Sequence, residues 1–303
     1  MALPAYASPL ERLWRVTYLV LCTLIFVFLM APILVIIPLS FNAEPYFTFT
    51  QKMLTFDPEG YSMRWYKSLL SFGMQAPDGA QGLAWWRDLW QNATWVQVTK
   101  NSLVIGFFST VLATALGTLA ALGLARPEMP FRRVVMAVLI SPMIVPIIIT
   151  ATGLFFFYSK TGLAGSYPGI ILAHATLGIP FVIITVTATL VGFDQSLSRA
   201  AANLGAPPTT VFFRVVMPLI LPGVVSGALF AFVTSFDEVV VVLFVAGYDQ
   251  QTIPRQMWNG IREQISPAIL AVATILVLFS IALLTTVELL RRRSEKLRGV
   301  SPR

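Results

Sequence analysis

Six stretches of the chain run with few polar interruptions: 17–41, 102–125, 134–158, 167–193, 215–247 and 267–287. Each is long enough to cross a hydrocarbon layer of about 30 Å, which takes roughly 20 helical residues. Unpaired backbone amides are too costly in lipid, so each is expected to be helical. Between the first two lies a long mixed segment, 42–100, where aromatics recur at helical spacing beside charges in "GYSMRWYKSLL" and "GLAWWRDLWQNATWVQ". Such strings suit helices lying at a membrane surface. They read either as an aromatic belt or as a docking surface for an external partner. The last connection, "YDQQTIPRQMWNGIREQISP", reads as a turn followed by a short amphipathic helix.

Composition agrees with the pattern. Of 303 residues, 56% are hydrophobic and 12% charged, and the mean hydropathy is +0.77. One soluble core cannot hide that much apolar surface, so an integral membrane protein is expected. The net charge of +7 does not mark a nucleic-acid binder, because the basic residues gather at the ends of apolar runs without interleaved aromatics. Their distribution sets the orientation instead. With both termini in the cytoplasm, thirteen Lys and Arg lie inside and three, Lys160, Arg255 and Arg262, on the short outer connections. The remaining five lie in 42–100, too long a segment to weigh in the count. This gives a cytoplasmic N-terminus over 1–16, a membrane domain over 17–290, a periplasmic segment over 42–100 and a basic cytoplasmic tail over 291–303. The first run follows Arg12 and Arg15 but is about twice the apolar length of a signal peptide and has no small-x-small cleavage site, so it reads as a retained anchor.

Catalytic chemistry is hard to find. The single histidine, His174, excludes a His-based metal site, and its surroundings, "LAHATLG", suit an interior histidine packed between helices. Cys22 is the only cysteine and lies within the first run, where a packed small hydrophobe is expected. No GxxxxGK[ST] is present, so a P-loop nucleotide site is excluded. An enzyme is not expected.

One polar stretch interrupts the pattern: "SLSRAAANLGAPPTTVFFRVVMPLILPG" between the fourth and fifth runs. Ser196 or Ser198 can cap a short helix that Gly205, Pro207 and Pro208 end. The loop 194–214 faces the cytoplasm by the charge count. An alanine-rich helix offers shape without bulk, and Pro218 and Pro222 are expected to kink the chain as it returns to the membrane. Within the fifth run, Asp237 and Glu238 are the only acidic pair in any span. Neighbouring positions differ by about 100° around a helix, so one of the two is expected to face a cavity. They read either as negative potential along the path of a cation or as a structural pair, with Arg255, Arg262 or another chain as counterion or with a helix hydrogen bond.

The string "RAAANLG", nine residues, then "VVMP" resembles the coupling loop of ABC importer permeases, whose pattern is E-A-A-x-x-x-G followed by I-x-L-P. Ala200, Ala201 and Gly205 match, as does Pro218, with Val215 and Met217 in the terminal motif; Arg199 replaces the glutamate. "YSMRWYKSLL", "SFDEVVVVLFVAG" and "TIPRQMWNGIREQISPAILAVATIL" are similar to the second permease subunit of spermidine/putrescine-type importers. The resemblance implies an all-α integral membrane fold of six transmembrane helices, the type I importer permease fold, in a bacterial inner membrane. It implies no cofactor on this chain and ATP-Mg on a partner ATPase that docks the coupling helix. It also implies a second homologous permease and a periplasmic binding protein as partners, with putrescine or spermidine as cargo. An opine or amino-acid derivative is the alternative cargo, and a stand-alone ion-coupled carrier using Asp237 and Glu238 is the alternative class.

Overall fold

A computed structural model describes residues 8–75, 81–126, 128–263 and 266–297. The chain divides into two compact units, Met1–Phe72 with Gly260–Arg303, and Gly73–Asn259. In chain order the helices are α1 (Pro9–Leu39), α2 (Gln51–Leu54), α3 (Arg64–Ser71), α4 (Leu83–Asn92), α5 (Thr94–Leu124), α6 (Arg132–Ile144) and α7 (Ile147–Thr161). They continue as α8 (Tyr167–Val191), α9 (Gln195–Asn203), α10 (Pro208–Val211), α11 (Met217–Phe236), α12 (Val240–Val245), α13 (Ile253–Glu263) and α14 (Ala268–Leu297). Among the described residues, the β content is one isolated bridge between Asn42 and Tyr61.

In the first unit, α1 starts well before the apolar run. Ser8 and Glu11 form a capping box in which the Ser8 hydroxyl accepts from the Glu11 amide at 3.2 Å and the Glu11 carboxylate accepts from the Ser8 amide at 2.8 Å. These bonds satisfy first-turn donors. The helix therefore spans 31 residues, about 46 Å, and overshoots a 30 Å core. Both α1 and α3 pack on α14. The chain between α1 and α3 is held by side chains rather than by strands. Asn42 donates to the carbonyls of Tyr46 and Thr48, Trp65 donates to the Asn42 carbonyl, and Ser40 pairs with Tyr66. The expected tail from 291 continues α14 as helix to Leu297; 298–303 lie outside the described residues, as do 1–7.

The second unit is built on α5, α8 and α11, which pack on one another in all three pairings. Glycine sets their closeness. A Cβ at Gly117 would lie 2.6 Å from Val182 Cβ, and one at Gly227 would lie 2.8 Å from Val182 Cα. Backbones approach this closely only where one partner has no side chain. His174, 1% exposed, adds a polar link at the same crossing, its Nδ1 lying 2.8 Å from Ser235 Oγ.

Two expected spans are broken. In place of one helix over 134–158 there are α6 and α7, bent by 100°. Pro142 and Pro146 carry no N–H, so α6 closes with the Val145 amide on the Ser141 carbonyl, and α7 restarts with the Pro146 carbonyl accepting from Ile149. In place of one helix over 215–247, a continuous helical stretch runs Pro208–Phe236, and α12 follows after a break at 237–239. Among the described residues, four helices are long and apolar enough to cross a membrane, and the bent pair makes a fifth if it counts as one span. The apolar part of α14, Ala268–Ala282, is shorter.

Candidate functional site

The loop over 194–214 folds as a short helix joined to a long one. α9 is capped by Asp194, whose carboxylate accepts from the Ser196 amide at 2.8 Å. The cap is therefore not Ser196 or Ser198: Gln195 already begins the helix, so Ser196 lies inside the first turn as a donor. The Ser196 amide and hydroxyl hold the Asp194 carboxyl below the usual carboxylate range, so this cap is intact at neutral pH and is lost only as pH falls through that lowered pKa. At the other end Gly205 takes the left-handed conformation, φ +84°, and the Gly205 and Ala206 amides return to the carbonyls of Ala202 and Ala201, a glycine C-terminal stop.

Leu197, Ala200, Ala201 and Leu204 recur at i, i+3, i+4 and i+7 and form one apolar stripe on α9. Leu197, Ala200 and Leu204 are exposed, Leu204 at 90%, and Ala201 is half-buried. Arg199 is exposed on a flank about 100° from Ala200, so the basic residue leaves the stripe uninterrupted. The second half of the motif is partly packed inward. Met217 packs on the cluster around Ile220 and Val186, Val215 is half-buried, and Pro218 is exposed. Pro218 offers no amide to the Arg214 carbonyl, and the backbone widens just before it into a π turn, Phe212–Val216, where the Met217 amide reaches the Phe212 carbonyl. The expected kink is thus absorbed as a wide turn within an unbroken helical stretch. α9 packs on both α10 and this turn. The missed residues, Leu197 and Leu204, carried a readable signal in that heptad-like spacing.

The acidic pair is divided by the end of α11. Asp237 is the C-cap residue, its amide on the Val233 carbonyl at 3.0 Å, and its side chain is exposed. Glu238 is 7% exposed, and its Oε1 accepts from the Val241 amide at 2.8 Å, capping α12. Arg255 is not its counterion. It donates from Nη1 to the carbonyls of Val242, Ala246 and Gly247, at 3.0–3.3 Å, at the other end of α12. An anion at the first amides and a cation at the last carbonyls both suit the helix dipole. Among the described residues the ion pair present is Lys52 with Glu59. The following loop is pinned by Asn101, which donates to the carbonyls of Asp249 and Gln251 and accepts from Tyr167, and by Ser102, which accepts from the Ile253 amide.

Glu238→Gln keeps an acceptor for the Val241 amide, whereas Glu238→Ala leaves that buried amide unpaired, at a cost of about 1–3 kcal/mol. Thermal unfolding of the purified protein in detergent is expected to rank wild type close to Glu238→Gln and well above Glu238→Ala. Equal losses in both variants would show that the charge, not the cap, matters.

No group of three or more His, Cys, Asp or Glu suited to a metal occurs among the described residues. Residues 7–296 match the family of binding-protein-dependent transport system inner membrane components. The chain is 30% identical over 270 residues to the spermidine/putrescine transport system permease protein PotC of Haemophilus influenzae, covering 89% of this chain and 94% of that one. It is 32% identical over 285 residues to the putrescine transport system permease protein PotI of Escherichia coli K12, covering 90% and 88%. A bacterial ABC transporter involved in the import of the acidic polysaccharide alginate has the same fold, with a TM-score of 0.65, 16% identity and coverage of 95% of this chain and 99% of that chain.

Proposed function

Because the chain belongs to the family of binding-protein-dependent transport system inner membrane components, we propose that it is the permease subunit of an ATP-driven importer for polyamines of the putrescine and spermidine kind. It is a multi-pass membrane protein and a transport component rather than an enzyme. In this reading a second permease completes the path, a periplasmic binding protein delivers the cargo, and ATP-Mg is bound and hydrolysed on separate ATPase chains. Both termini face the cytoplasm, in keeping with the thirteen basic residues on that side. The observation that carries the reading is the exposed stripe of α9 packed on the start of the continuous helix Pro208–Phe236. A shape-complementary ATPase groove that grips Leu197, Ala200, Ala201 and Leu204 would displace this helix as a rigid body, and Asp237 lies at its far end.

The α6–α7 break supports a place for this unit against a further chain or water. At the α6–α7 bend Met143, Ile144, Ile148 and Ile149 are exposed beside interrupted backbone hydrogen bonding. Such backbone is tolerated at membrane depth only against protein or water.

The test is ATP hydrolysis by this permease assembled with its ATPase, partner permease and binding protein in lipid discs, across polyamines, amino acids and sugars. Stimulation by putrescine or spermidine is expected. Stimulation by an opine or amino acid instead would keep the importer and change the cargo. Substrate movement with no ATPase bound would establish an ion-coupled carrier and overturn the reading.

A further inference from the structure

The tryptophan-rich helix α4 has three distinct sides at the spacing of about 100° per residue. Asp88 and Leu89 are buried and Trp85 and Asn92 half-buried on the first, and α4 packs on α5. The Asp88 carboxylate ties this side down by accepting from the Gln75 amide at 3.0 Å and from Asn92 Nδ2 at 2.6 Å. Leu83, Trp86 and Trp90 lie within about 60° of one another on the second side, exposed at 89%, 61% and 64%. Ala84, Arg87 and Gln91, also exposed, make the third, next to the apolar edge. A helix in water needs a buried side and a wet one; a helix lying between protein, lipid and water needs all three.

The level at which α4 sits follows from α5. The start of α5 is polar, with Gln97, Thr99, Lys100, Asn101 and Ser102 in succession, whereas 103–122 carries no charge and the next charged residue is Arg126. Those residues rise about 30 Å, the thickness of a hydrocarbon core. Lys100 then stands about 4.5 Å beyond the hydrocarbon edge, inside the headgroup layer, which adds roughly 5–7 Å on each side. Lys100 in turn fixes the end of α4: its Nζ lies 3.8 Å from the centroid of the Trp90 ring and donates to the Trp90 carbonyl. Gln97 Nε2 donates to the carbonyls of Trp90 and Gln91, each at 2.7 Å. Leu103, Val104, Phe107 and Val111 follow Lys100 at i+3, i+4, i+7 and i+11 and are all exposed. The apolar surface of a membrane-crossing helix therefore runs without a gap into the exposed edge of α4. We propose that α4 is an interfacial anchor on the phospholipid bilayer, with Leu83, Trp86 and Trp90 set into the headgroup–hydrocarbon boundary and Arg87 and Gln91 turned to the headgroups. Indole rings favour that layer, and lysine and arginine reach phosphates from it. The anchor fixes the depth of α5, and through it the three-helix core. It requires that α5 cross the membrane and is independent of the solute carried; with both termini cytoplasmic, the leaflet is the outer one.

The test uses the complete importer in lipid discs. Cys22 is the single cysteine, so Cys22→Ser gives a background in which Leu83→Cys, Trp86→Cys and Gln91→Cys each carry one environment-sensitive fluorophore. Emission is read against two quenchers: phosphatidylcholine with a nitroxide near the top of its acyl chain, and iodide in the water. Labels at 83 and 86 are expected to shift to the blue and to lose most of their emission to the lipid nitroxide and little to iodide, with the reverse at 91. Leu83→Cys and Trp86→Cys report the same edge, so failure of the tryptophan variant to fold leaves the measurement intact. Iodide quenching at 83 and 86 as strong as at 91 would place α4 in water and overturn the anchor. So would protection of 83 and 86 from both quenchers, or lipid quenching that disappears when the binding protein is added, because the edge would then be a docking surface for another protein.

Discussion

Aspartate in place of Ala200 will abolish ATP-driven uptake while the permease stays folded in the membrane. Ala200 is exposed on α9, touches no core cluster, and sits in a helix where a single aspartate costs well under 1 kcal/mol in propensity. The local fold should therefore survive. Docking should not, because the carboxylate would be carried into an apolar groove with no partner. An unpaired buried charge costs about 3–5 kcal/mol, which is a hundredfold or more in a binding equilibrium. The measurement is two-fold: retention of the ATPase on the purified permease, and uptake in proteoliposomes. Arg199→Glu, by contrast, is expected to be tolerated, since that side chain projects from the flank of the stripe. Normal uptake by Ala200→Asp would remove α9 as the docking element.

Valine at Gly227 will leave little folded permease at all. The added Cβ would stand 2.8 Å from Val182 Cα and 2.5 Å from Thr185 Oγ1. The threonine can rotate, but the Val182 backbone is fixed within α8 and cannot yield without separating the two helices. Overpacking ordinarily costs about 1–3 kcal/mol, and a clash with backbone at the centre of a three-helix core belongs at or above the top of that range. Loss of the protein from the membrane fraction, or a thermal midpoint too low to measure in detergent, is the expected result. Gly123→Ala is the matched comparison, because nothing lies within 4 Å of a Cβ there, and it should leave yield unchanged. Similar yields for both variants would mean that α8 and α11 are not held together as closely as described.

The two predictions differ in how far the sequence alone could have led to them. The α9 helix was legible because its signals are local: a Gly-Ala-Pro-Pro stop, good helix formers before it, and a fixed spacing to Pro218. Its cap is not legible, because the choice between Asp194 and Ser196 depends on where the first helical turn begins, and any of several polar residues satisfies the rule. Hydropathy gives the two interrupted spans as single helices because it sums side-chain transfer energies and does not register whether the backbone is continuous. Pro142 and Pro146 were the available warning, yet Pro180 sits inside α8 without breaking it. Proline identity alone does not decide the matter, since neighbouring groups can re-satisfy the freed carbonyls.

Some properties of this protein followed from its chain alone. Membrane residence, the approximate positions of the apolar segments and the presence of a short helix before Gly205 depend on composition and on spacing within a few turns, and both are written in the linear order of residues. The roles of Asp237 and Glu238 did not follow. They are adjacent and chemically alike, yet one is exposed at the end of α11 and the other is buried as the cap of α12. What separates them is where α11 stops, with Arg255 from a distant segment binding the far end of α12. The same holds for Gly227, whose importance comes from the backbone of Val182, 45 positions earlier in the chain. Contacts between residues far apart in sequence form only after the helices have packed, and no local pattern encodes them.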